Sequence, residues 1–338
     1  MKKVIISCGG TGGHFYPGLS KARDIQSEGG EALLLLSGIH AAKQAETARS
    51  FGVPAVELPY MPHPGHNPVK ALKTLRGVIL GYWRSRREIR NFAPDEIWGM
   101  GSFAQFPVLL AHGKVPVYLH DGNALIGKAN RFFSFMAERV ETAFPPLNAD
   151  KCKAPVVCTG MPLRPELRKH AAISRQDAFA GLNREFNAGL TPEKRTYLIV
   201  GGSQGAATLN ANIPAALKRI SEPDFQVLHL AGPTKIDEVR KAYEGADFPV
   251  LALPSSEKME LFYGAADLVF ARSGGSTVAE LILFGKQAVL IPYPYAVDDH
   301  QTGNANYMAS LGKAVVVKNS DLTPEKVLEL LAEMKKRF

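Results

Sequence analysis

The chain begins with a hydrophobic run that leads directly into glycines, Val4-Ile5-Ile6-Ser7-Cys8-Gly9-Gly10-Thr11-Gly12-Gly13-His14. The β-branched residues predict a buried strand, and the glycines allow positive φ and close approach of the backbone to a ligand. A helix is predicted from Tyr16-Pro17, and its positive end would attract an anion. The loop therefore predicts a site for a phosphorylated or sugar ligand, with a plain strand-helix turn as the alternative.

This glycine loop is not a dinucleotide-binding fingerprint. A G-x-G-x-x-G pattern starting at Gly10 would need glycine where Phe15 stands. The second predicted strand, residues 31–36, ends in Ser37-Gly38 rather than in the acidic residue that binds a ribose hydroxyl in those proteins.

The same pattern recurs near the middle of the chain. Hydrophobic residues 196–200 precede Gly201-Gly202-Ser203-Gln204-Gly205-Ala206 and a plausible helix. A chain of 338 residues, 46% of them hydrophobic, can build two domains with full cores. Two α/β units that face each other are therefore predicted.

Nothing in the sequence predicts export or membrane insertion. No apolar run approaches the roughly 18 residues that span a bilayer. The cysteines Cys8, Cys152 and Cys158 are odd in number and lack the spacing of metal ligands. They fit a reducing cytoplasm and are interpreted as packing residues, with no metal site expected.

The net charge of +8 is concentrated in one segment. Residues 1–163 contain 19 Lys and Arg against 12 Asp and Glu, whereas the rest contain 21 against 20. Within residues 66–90, seven basic residues stand against Glu88 alone.

On a helical wheel this basic segment is amphipathic. One face carries Leu72, Leu75, Ile79, Tyr82 and Trp83, and the adjoining face carries Lys70, Lys73, Arg76, Arg84 and Arg87. The pattern is typical of a helix at a membrane surface. The alternative is a core-facing helix with a solvated basic face; nucleic acid is a weaker candidate because no DNA- or RNA-binding motif accompanies the charge.

Two further loops of the first domain follow predicted strands. Gly99-Met100-Gly101-Ser102 follows a strand at 96–98, and His120-Asp121-Gly122-Asn123 follows one at 115–119. Parallel sheets place ligands at such carboxyl ends. Residues 122–129 nearly match a P-loop, but Ala129 replaces the hydroxyl residue that would hold magnesium, so the match is interpreted as coincidence.

The domain boundary is predicted at Met161-Pro162-Leu163-Arg164-Pro165, which divides the chain into domains 1–160 and 161–338. Strands are then predicted at 227–230, 250–253, 267–270, 288–291 and 314–317. Residues 272–280, RSGGSTVAE, place small and hydroxyl residues at a strand-helix junction, and residues 293–301 end the next strand with a polar cluster.

Four motifs in this order and spacing resemble the MurG family of glycosyltransferases. They are GGTGGH at 9–14, GGSQGA at 201–206, RSGGSTVAE at 272–280 and DDHQTGNA at 298–305. The resemblance runs from residue 1 to about residue 320. It implies the GT-B fold, two Rossmann-like domains around a cleft. It also implies inverting transfer of N-acetylglucosamine (GlcNAc) from UDP-GlcNAc to the 4-hydroxyl of N-acetylmuramic acid (MurNAc) in undecaprenyl-linked lipid I, at the cytoplasmic face of the bacterial membrane.

The resemblance also assigns roles to individual residues. Thr11, Gly12 and Gly13 would line the acceptor side, His14 would be the general base and Asn123 would touch the transferred sugar. Donor binding falls to Arg164, Ser203, Gln204, Gly275, Ser276, Thr277, Val278, Glu280 and Gln301. A helix N-terminus suits a diphosphate and a carboxylate suits the ribose hydroxyls, so no metal or cofactor is expected.

The sequence departs from the family in two of its loops. The family usually has HEQN where this chain has HDGN at 120–123, and an apolar or aromatic pair where Ser255-Ser256 stands. Two other functions stay open: another GT-B enzyme, such as a UDP-GlcNAc 2-epimerase or a lipid galactosyltransferase, and a non-catalytic nucleotide-sugar-binding partner of a membrane complex.

Overall fold

The computed structural model describes residues 1–62, 68–202 and 205–335. It divides into two compact units, Met1–Pro165 and Glu166–Phe338. Each unit is an α/β domain built on one parallel sheet. The predicted α/β fold class, with two domains built on parallel sheets, is confirmed.

The first unit contains a seven-stranded parallel sheet. Its strands are β1 (Lys3–Gly9), β2 (Glu31–Ser37), β3 (Ala55–Glu57), β4 (Glu96–Gly99), β5 (Val117–Asp121), β6 (Arg139–Thr142) and β7 (Val156–Cys158). Its helices are α1 (Gly12–Ser27), α2 (Ala41–Ser50), α3 (Pro68–Phe92), α4 (Phe106–Leu110) and α5 (Lys128–Phe133).

The second unit contains a six-stranded parallel sheet. Its strands are β8 (Arg195–Val200), β9 (Phe225–Leu230), β10 (Val250–Leu253), β11 (Leu268–Ala271), β12 (Gln287–Leu290) and β13 (Ala314–Val316). The helices from the end of the first unit onward are α6 (Pro165–Lys169), α7 (Arg175–Phe186), α8 (Ala207–Leu217), α9 (Ile236–Ala242), α10 (Met259–Ala265), α11 (Gly275–Leu283), α12 (His300–Ser310) and α13 (Pro324–Lys335).

The strand order of each sheet reverses at one point. The first sheet runs β3-β2-β1-β4-β5-β6-β7, and the second runs β10-β9-β8-β11-β12-β13. The chain therefore leaves β1 and β4 toward opposite edges, and it leaves β8 and β11 in the same way. Open parallel sheets bind ligands outside the carboxyl ends of strands at such a reversal, which singles out the loops after these four strands.

The observed elements correct three predictions of the sequence. Helix α1 begins at Gly12 rather than near Tyr16, so Pro17 lies inside it and cannot donate a backbone hydrogen bond to the Gly13 carbonyl. Strand β5 extends to Asp121, which makes His120 and Asp121 strand residues. Strand β6 was not predicted.

The first core lies on both faces of its sheet. Val4, Ile6 and Cys8 point to one face, and Ile5 points to the other. Burial raises the pKa of the Cys8 thiol, which packs against α1 as expected of an apolar residue. The interpretation as a packing residue is wrong for Cys158, which is exposed.

Candidate functional site

The first candidate ligand surface is the N-terminus of α1, directly after β1. Thr11 is the N-cap, and its side chain forms no capping hydrogen bond. The first N–H groups of a helix have no acceptor inside it, so those of Gly12 and Gly13 point out of the positive helix end. A Cβ at either glycine would make only ordinary contacts, at 3.5 Å or more. The fold therefore does not require glycine at these two positions, and their small size leaves the surface accessible.

His14, in the first turn of α1, is held by the loop after β4. Its Nδ1 lies 2.8 Å from the Met100 carbonyl oxygen, which can only accept, so Nδ1 is the donor. The neutral ring then carries its lone pair on Nε2, the atom that a general base uses. Gly101 has φ 89°, and a Cβ there would lie 3.0 Å from Nδ1, so glycine is favoured beside the ring.

The loop that holds His14 is strained. Ser102 has φ 62° and ψ 172°, a region that is essentially restricted to glycine. Its hydroxyl accepts a hydrogen bond from the Ala104 amide, and it lies near Gly10, where a Cβ would be 3.6 Å away. Strain of this kind persists only where the surroundings enforce it, and it concentrates at functional sites.

The Asp121 carboxylate organises the loop that contains Asn123. Its Oδ1 accepts from the Asn123 amide at 3.1 Å, and its Oδ2 accepts from the Gly127 amide at 2.8 Å. The P-loop-like stretch is thus folded around the protein's own carboxylate, in agreement with its interpretation as coincidence. Gly122 lies beside the N-terminus of α1, since its Cβ would be 3.8 Å from the Gly13 carbonyl. The structure thereby brings His14 and the HDGN loop together.

His120, at the end of β5, is a structural residue. Its Nε2 donates to the Gly160 carbonyl at 3.2 Å. Burial lowers the pKa of this imidazole, which favours its neutral form. Arg164, a predicted donor contact, is half-buried just before the end of the first unit.

The second candidate ligand surface is the N-terminus of α11. Gly274 is the N-cap, and the half-buried Gly275, Ser276 and Thr277 form the first turn. Their N–H groups have no acceptor inside the helix, which suits an anion. Val278 differs, since its side chain is fully buried and its amide donates to the Gly274 carbonyl. Val278 packs in the core beneath the first turn of α11, and it has no polar side-chain group for a ligand.

Glu280, one turn into α11, is held by a buried tyrosine. The Tyr263 hydroxyl donates to its Oε2 at 2.8 Å. Arg272, at the end of β11, is buried and donates to the carbonyls of Ile291 and Pro292. Burial lowers the pKa of this guanidinium, which nevertheless remains charged. The sequence assigned no role to Tyr263 or Arg272.

A backbone hydrogen bond fixes the orientation of the Gln301 side-chain amide. Its Oε1 accepts from the Tyr293 amide at 2.9 Å, so Nε2 is the donor end of this half-buried amide. The backbone carbonyl of Gln301 accepts from the Ser273 hydroxyl at 2.8 Å. The side-chain amide of the buried Asn304 donates to the Ser273 backbone carbonyl. The loops after β11 and β12 are thereby joined.

Two predicted donor residues, Ser203 and Gln204, lie outside the described residues. Next to them, a Cβ at Gly205 would collide with the Ala231 carbonyl, which explains the glycine there. Of the serine pair, Ser255 is exposed, and the Ser256 hydroxyl accepts from the Lys258 amide.

Helix α3 packs on the first unit through small residues. A Cβ at Gly77 would lie 2.7 Å from the Tyr60 carbonyl, and one at Gly81 would lie 2.9 Å from Pro107 of α4. Ser85 is fully buried on the same face. The helix therefore turns its small residues inward, and Tyr82 and Ile89 also pack on the core. This agrees with the alternative of a core-facing helix with a solvated basic face, which stays open.

The opposite side of α3 is apolar and exposed. Leu75 is 56% exposed and Trp83 is 64% exposed, whereas Tyr82 packs on the core, contrary to its predicted place on this face. We define the apolar surface as the exposed apolar residues of α3, α4, α5 and the short turn after α5: Leu72, Leu75, Ile79, Leu80, Trp83, Leu110, Phe132 and Phe135. Phe106 of α4 stacks on Phe132 of α5.

The predicted basic residues border this apolar surface. Lys73, Arg76, Arg84 and Arg87 are exposed, and the Lys70 side chain lies outside the described residues. Among the residues that the structure describes, no helix is both long and apolar enough to cross a membrane. Within the same described ranges, no group of three His, Cys, Asp or Glu side chains is placed to hold a metal.

Comparison with known proteins gives the same family over both units. Residues 4–142 match the glycosyltransferase family 28 N-terminal domain, and residues 196–337 match the glycosyltransferase family 28 C-terminal domain. A Nitrosospira multiformis protein is 35% identical over 98% of this chain and 89% of its own. It is named UDP-N-acetylglucosamine–N-acetylmuramyl-(pentapeptide) pyrophosphoryl-undecaprenol N-acetylglucosamine transferase.

Two solved structures are similar over nearly the whole chain. MurG of Acinetobacter baumannii has a TM-score of 0.75 at 29% identity, with 99% of this chain and 91% of that chain covered. A Neisseria meningitidis UDP-GlcNAc 2-epimerase has a TM-score of 0.63 at 12% identity, covers 100% and 93% of the two chains, and shares the fold alone. The family models, the relative and the MurG structure agree, and the chain therefore belongs to glycosyltransferase family 28, in the MurG family of N-acetylglucosamine transferases.

Proposed function

We propose that this protein transfers GlcNAc from UDP-GlcNAc to lipid I, undecaprenyl-pyrophosphoryl-MurNAc-pentapeptide, and so forms lipid II for peptidoglycan. The observation that carries the proposal is the pair of loops at the carboxyl ends of β1 and β4, which present His14 with its base nitrogen oriented. The names of the full-length relatives support the same substrates.

The second unit binds the donor in this proposal. The diphosphate lies at the N-terminus of α11, near Ser276 and Thr277, where the helix end contributes about 0.3–2 kcal/mol. Glu280 accepts from the ribose hydroxyls, and Gln301 donates from Nε2 to the sugar. Ser203 and Gln204 complete the donor contacts of the second unit, and Arg164, just before the end of the first unit, adds one more.

The first unit activates the acceptor. Nε2 of His14 takes the proton of the MurNAc 4-hydroxyl while that oxygen attacks the anomeric carbon of GlcNAc. The new glycosidic bond forms as the bond to the β-phosphate breaks, UDP leaves with the electron pair, and the anomeric configuration inverts. Asn123 contacts the transferred sugar, and the α1 N-terminus lines the acceptor side with Thr11, Gly12 and Gly13.

The apolar surface and its basic border dock the first unit on the anionic, cytoplasmic face of the cell membrane. Apolar side chains between cationic ones are the arrangement that binds such an interface. The acceptor is itself anchored in that membrane by its undecaprenyl chain, so docking brings the catalytic loops to it.

The direct test is turnover of UDP-GlcNAc with a lipid I analogue, followed by UDP release and by mass spectrometry of the product. Stoichiometric UDP and a GlcNAc-MurNAc product are expected. Epimerisation of UDP-GlcNAc without the acceptor would replace the proposal by the epimerase alternative. Binding without turnover would replace it by the non-catalytic one.

A further inference from the structure

A chain of buried hydrogen bonds links the loop after β4 to the end of β5. The Gly101 amide donates to Oε1 of Gln105 at 2.9 Å, and Nε2 of Gln105 donates to Oδ1 of Asn130 at 2.9 Å. Nδ2 of Asn130 then donates to Oδ2 of Asp121 at 3.0 Å. Gln105 is 0% exposed and Asn130 is 1% exposed. We call Gln105, Asn130 and Asp121 the buried amide chain.

One end of the buried amide chain holds the peptide group that orients His14. The Gly101 N–H and the Met100 carbonyl belong to the same planar peptide unit, in which the two groups point in opposite directions. Gln105 binds the N–H of this unit, and His14 Nδ1 binds its carbonyl. A rotation of the peptide would break both bonds, so Gln105 fixes the direction of the acceptor for His14.

The other end holds the loop of Asn123. The Asp121 carboxylate that receives the bond from Asn130 also accepts from the amides of Asn123 and Gly127. Asn130 additionally donates to the His120 carbonyl at 2.9 Å. The buried amide chain therefore connects the peptide that orients His14 to the loop that contains Asn123 through continuous hydrogen bonds.

The two ends of the buried amide chain, the Gly101 N–H and the Asp121 carboxylate, set the direction of every hydrogen bond in it. A backbone N–H can only donate and an ionised carboxylate can only accept, so each amide between them has one permitted orientation. Such aligned bonds reinforce one another at low dielectric. Apolar residues would fill the same space without holding the Met100–Gly101 peptide in one orientation.

We infer that Gln105 and Asn130 are positioning residues for the transfer reaction, which fix the tautomer and orientation of His14 relative to Asn123. The inference rests on the proposed function for its kinetic consequence. The hydrogen-bond geometry of His14 can be measured without turnover.

The central variant is Gln105→Met in the full chain, which keeps the side-chain length and removes the amide. Its matched control is Gln226→Met, because Gln226 is also 0% exposed and bonded at both ends of its amide, to Thr191 and Thr196 of the second unit. Both variants lose hydrogen bonds of a buried glutamine, and only one touches the peptide that holds His14.

For Gln105→Met we expect kcat to fall about 10–100-fold, the usual effect of misplacing a group through its supporting residue. The KM for UDP-GlcNAc should stay within about twofold, because Asp121 still holds the Asn123 loop and the proposed donor groups of the second unit are unchanged. In ¹⁵N spectra of labelled histidine, assigned by comparison with His14→Ala, wild type should show the Nδ1–H tautomer of His14 and Gln105→Met a mixture. Gln226→Met should retain both kcat and the tautomer.

Asn130→Ala provides a second route to the same result. Its kcat should fall by a similar factor. The double variant with Gln105→Met should be no slower than the slower single variant, because both changes interrupt the same hydrogen-bond network. Three results would each overturn the inference. The kcat losses of the two single variants could multiply in the double variant, Gln226→Met could lose as much kcat as Gln105→Met, or the His14 tautomer could be unchanged in Gln105→Met. A wild type that fails to transfer GlcNAc would instead refute the proposed function, and the tautomer would still test the positioning.

Discussion

At the scale of single residues, the first prediction concerns His14, the proposed general base. The Met100 carbonyl selects its tautomer, so loss of the imidazole removes an oriented base. His14→Ala should lower kcat by about 10²–10⁴-fold, the usual contribution of general base catalysis. UDP affinity, measured by calorimetry, should be unchanged because the proposed donor groups lie elsewhere.

A second histidine of the first unit serves as the matched control. His112 also bonds a backbone carbonyl, that of Val115, through Nδ1. It precedes β5 and so lies away from the carboxyl ends of the strands. His112→Ala should keep normal turnover, whereas near-normal turnover in His14→Ala would assign that residue a structural role.

The Tyr263–Glu280 pair makes a residue-scale prediction for the donor. A hydrogen bond to a charged group contributes about 1.5–3 kcal/mol. Glu280→Ala should therefore weaken UDP binding by more than about tenfold. Tyr263→Phe should weaken it less, because the carboxylate stays but loses the hydroxyl that orients it.

Calorimetric titration with UDP and with 2′-deoxy-UDP measures this effect. The loss of affinity in Glu280→Ala should be smaller for the deoxynucleotide, which lacks one of the two hydroxyls that Glu280 is proposed to bind. Tyr243→Phe is the control, since Tyr243 is a buried tyrosine bonded to His229. Equal UDP affinity in wild type and Glu280→Ala would remove this residue from the donor site.

At the scale of elements, α3 is the proposed docking element for an anionic membrane. Each basic residue near an anionic surface contributes about 1 kcal/mol, and the contribution falls with salt. Reversal of Lys73, Arg84 and Arg87 to glutamate should abolish flotation with phosphatidylglycerol vesicles at low salt while UDP binding remains. Trp83→Ser should also weaken flotation, since this 64%-exposed ring belongs to the apolar surface.

The control variant makes the same change in net charge, but with three basic residues of the second unit. Arg184, Lys241 and Lys318 are exposed there, and their reversal to glutamate should leave flotation intact. If both triple variants floated equally well, or lost flotation equally, α3 would be no specific docking element.

At the scale of the whole molecule, buried neutral histidines make stability depend on pH. His229 lies in the second core, where it bonds Tyr243 and Asn210, and burial lowers its pKa to about 3. The unfolded chain binds a proton there below about pH 6.5 and the folded chain does not. Stability is therefore lost as the pH falls from that value toward 3. The lowered pKa of His120 acts in the same direction.

Urea unfolding followed by circular dichroism at pH 6 and pH 5 tests this effect. His229→Gln should lose about 1 kcal/mol less than wild type over this interval, although it is less stable at pH 7. His170→Gln, which replaces an exposed histidine, should behave as wild type. If the free energy of unfolding changed equally with pH in wild type and His229→Gln, the pKa of His229 would not be lowered in the folded protein.

The sequence by itself determined the fold class and most strands, because β-branched runs that end in glycine identify buried parallel strands. It also marked the loops that contain His14, Asn123, Glu280 and Gln301, since ligand loops of such sheets follow strand ends. Helix starts were less certain. Pro17 resembled a first-turn residue but lies inside α1, because the helical hydrogen bonds already begin with the Phe15 amide, which donates to the Thr11 carbonyl.

Only the tertiary structure decided which strands are neighbours and which side chains meet. The pairing of β1 with β4 brings Met100 to His14, across 86 residues of sequence. The Gln105–Asn130 bond and the Tyr263–Glu280 bond likewise join segments that no local pattern connects. Periodicity and turn chemistry act over a few residues, whereas a buried hydrogen bond depends on where the chain returns, and that is fixed by the packing of the whole sheet.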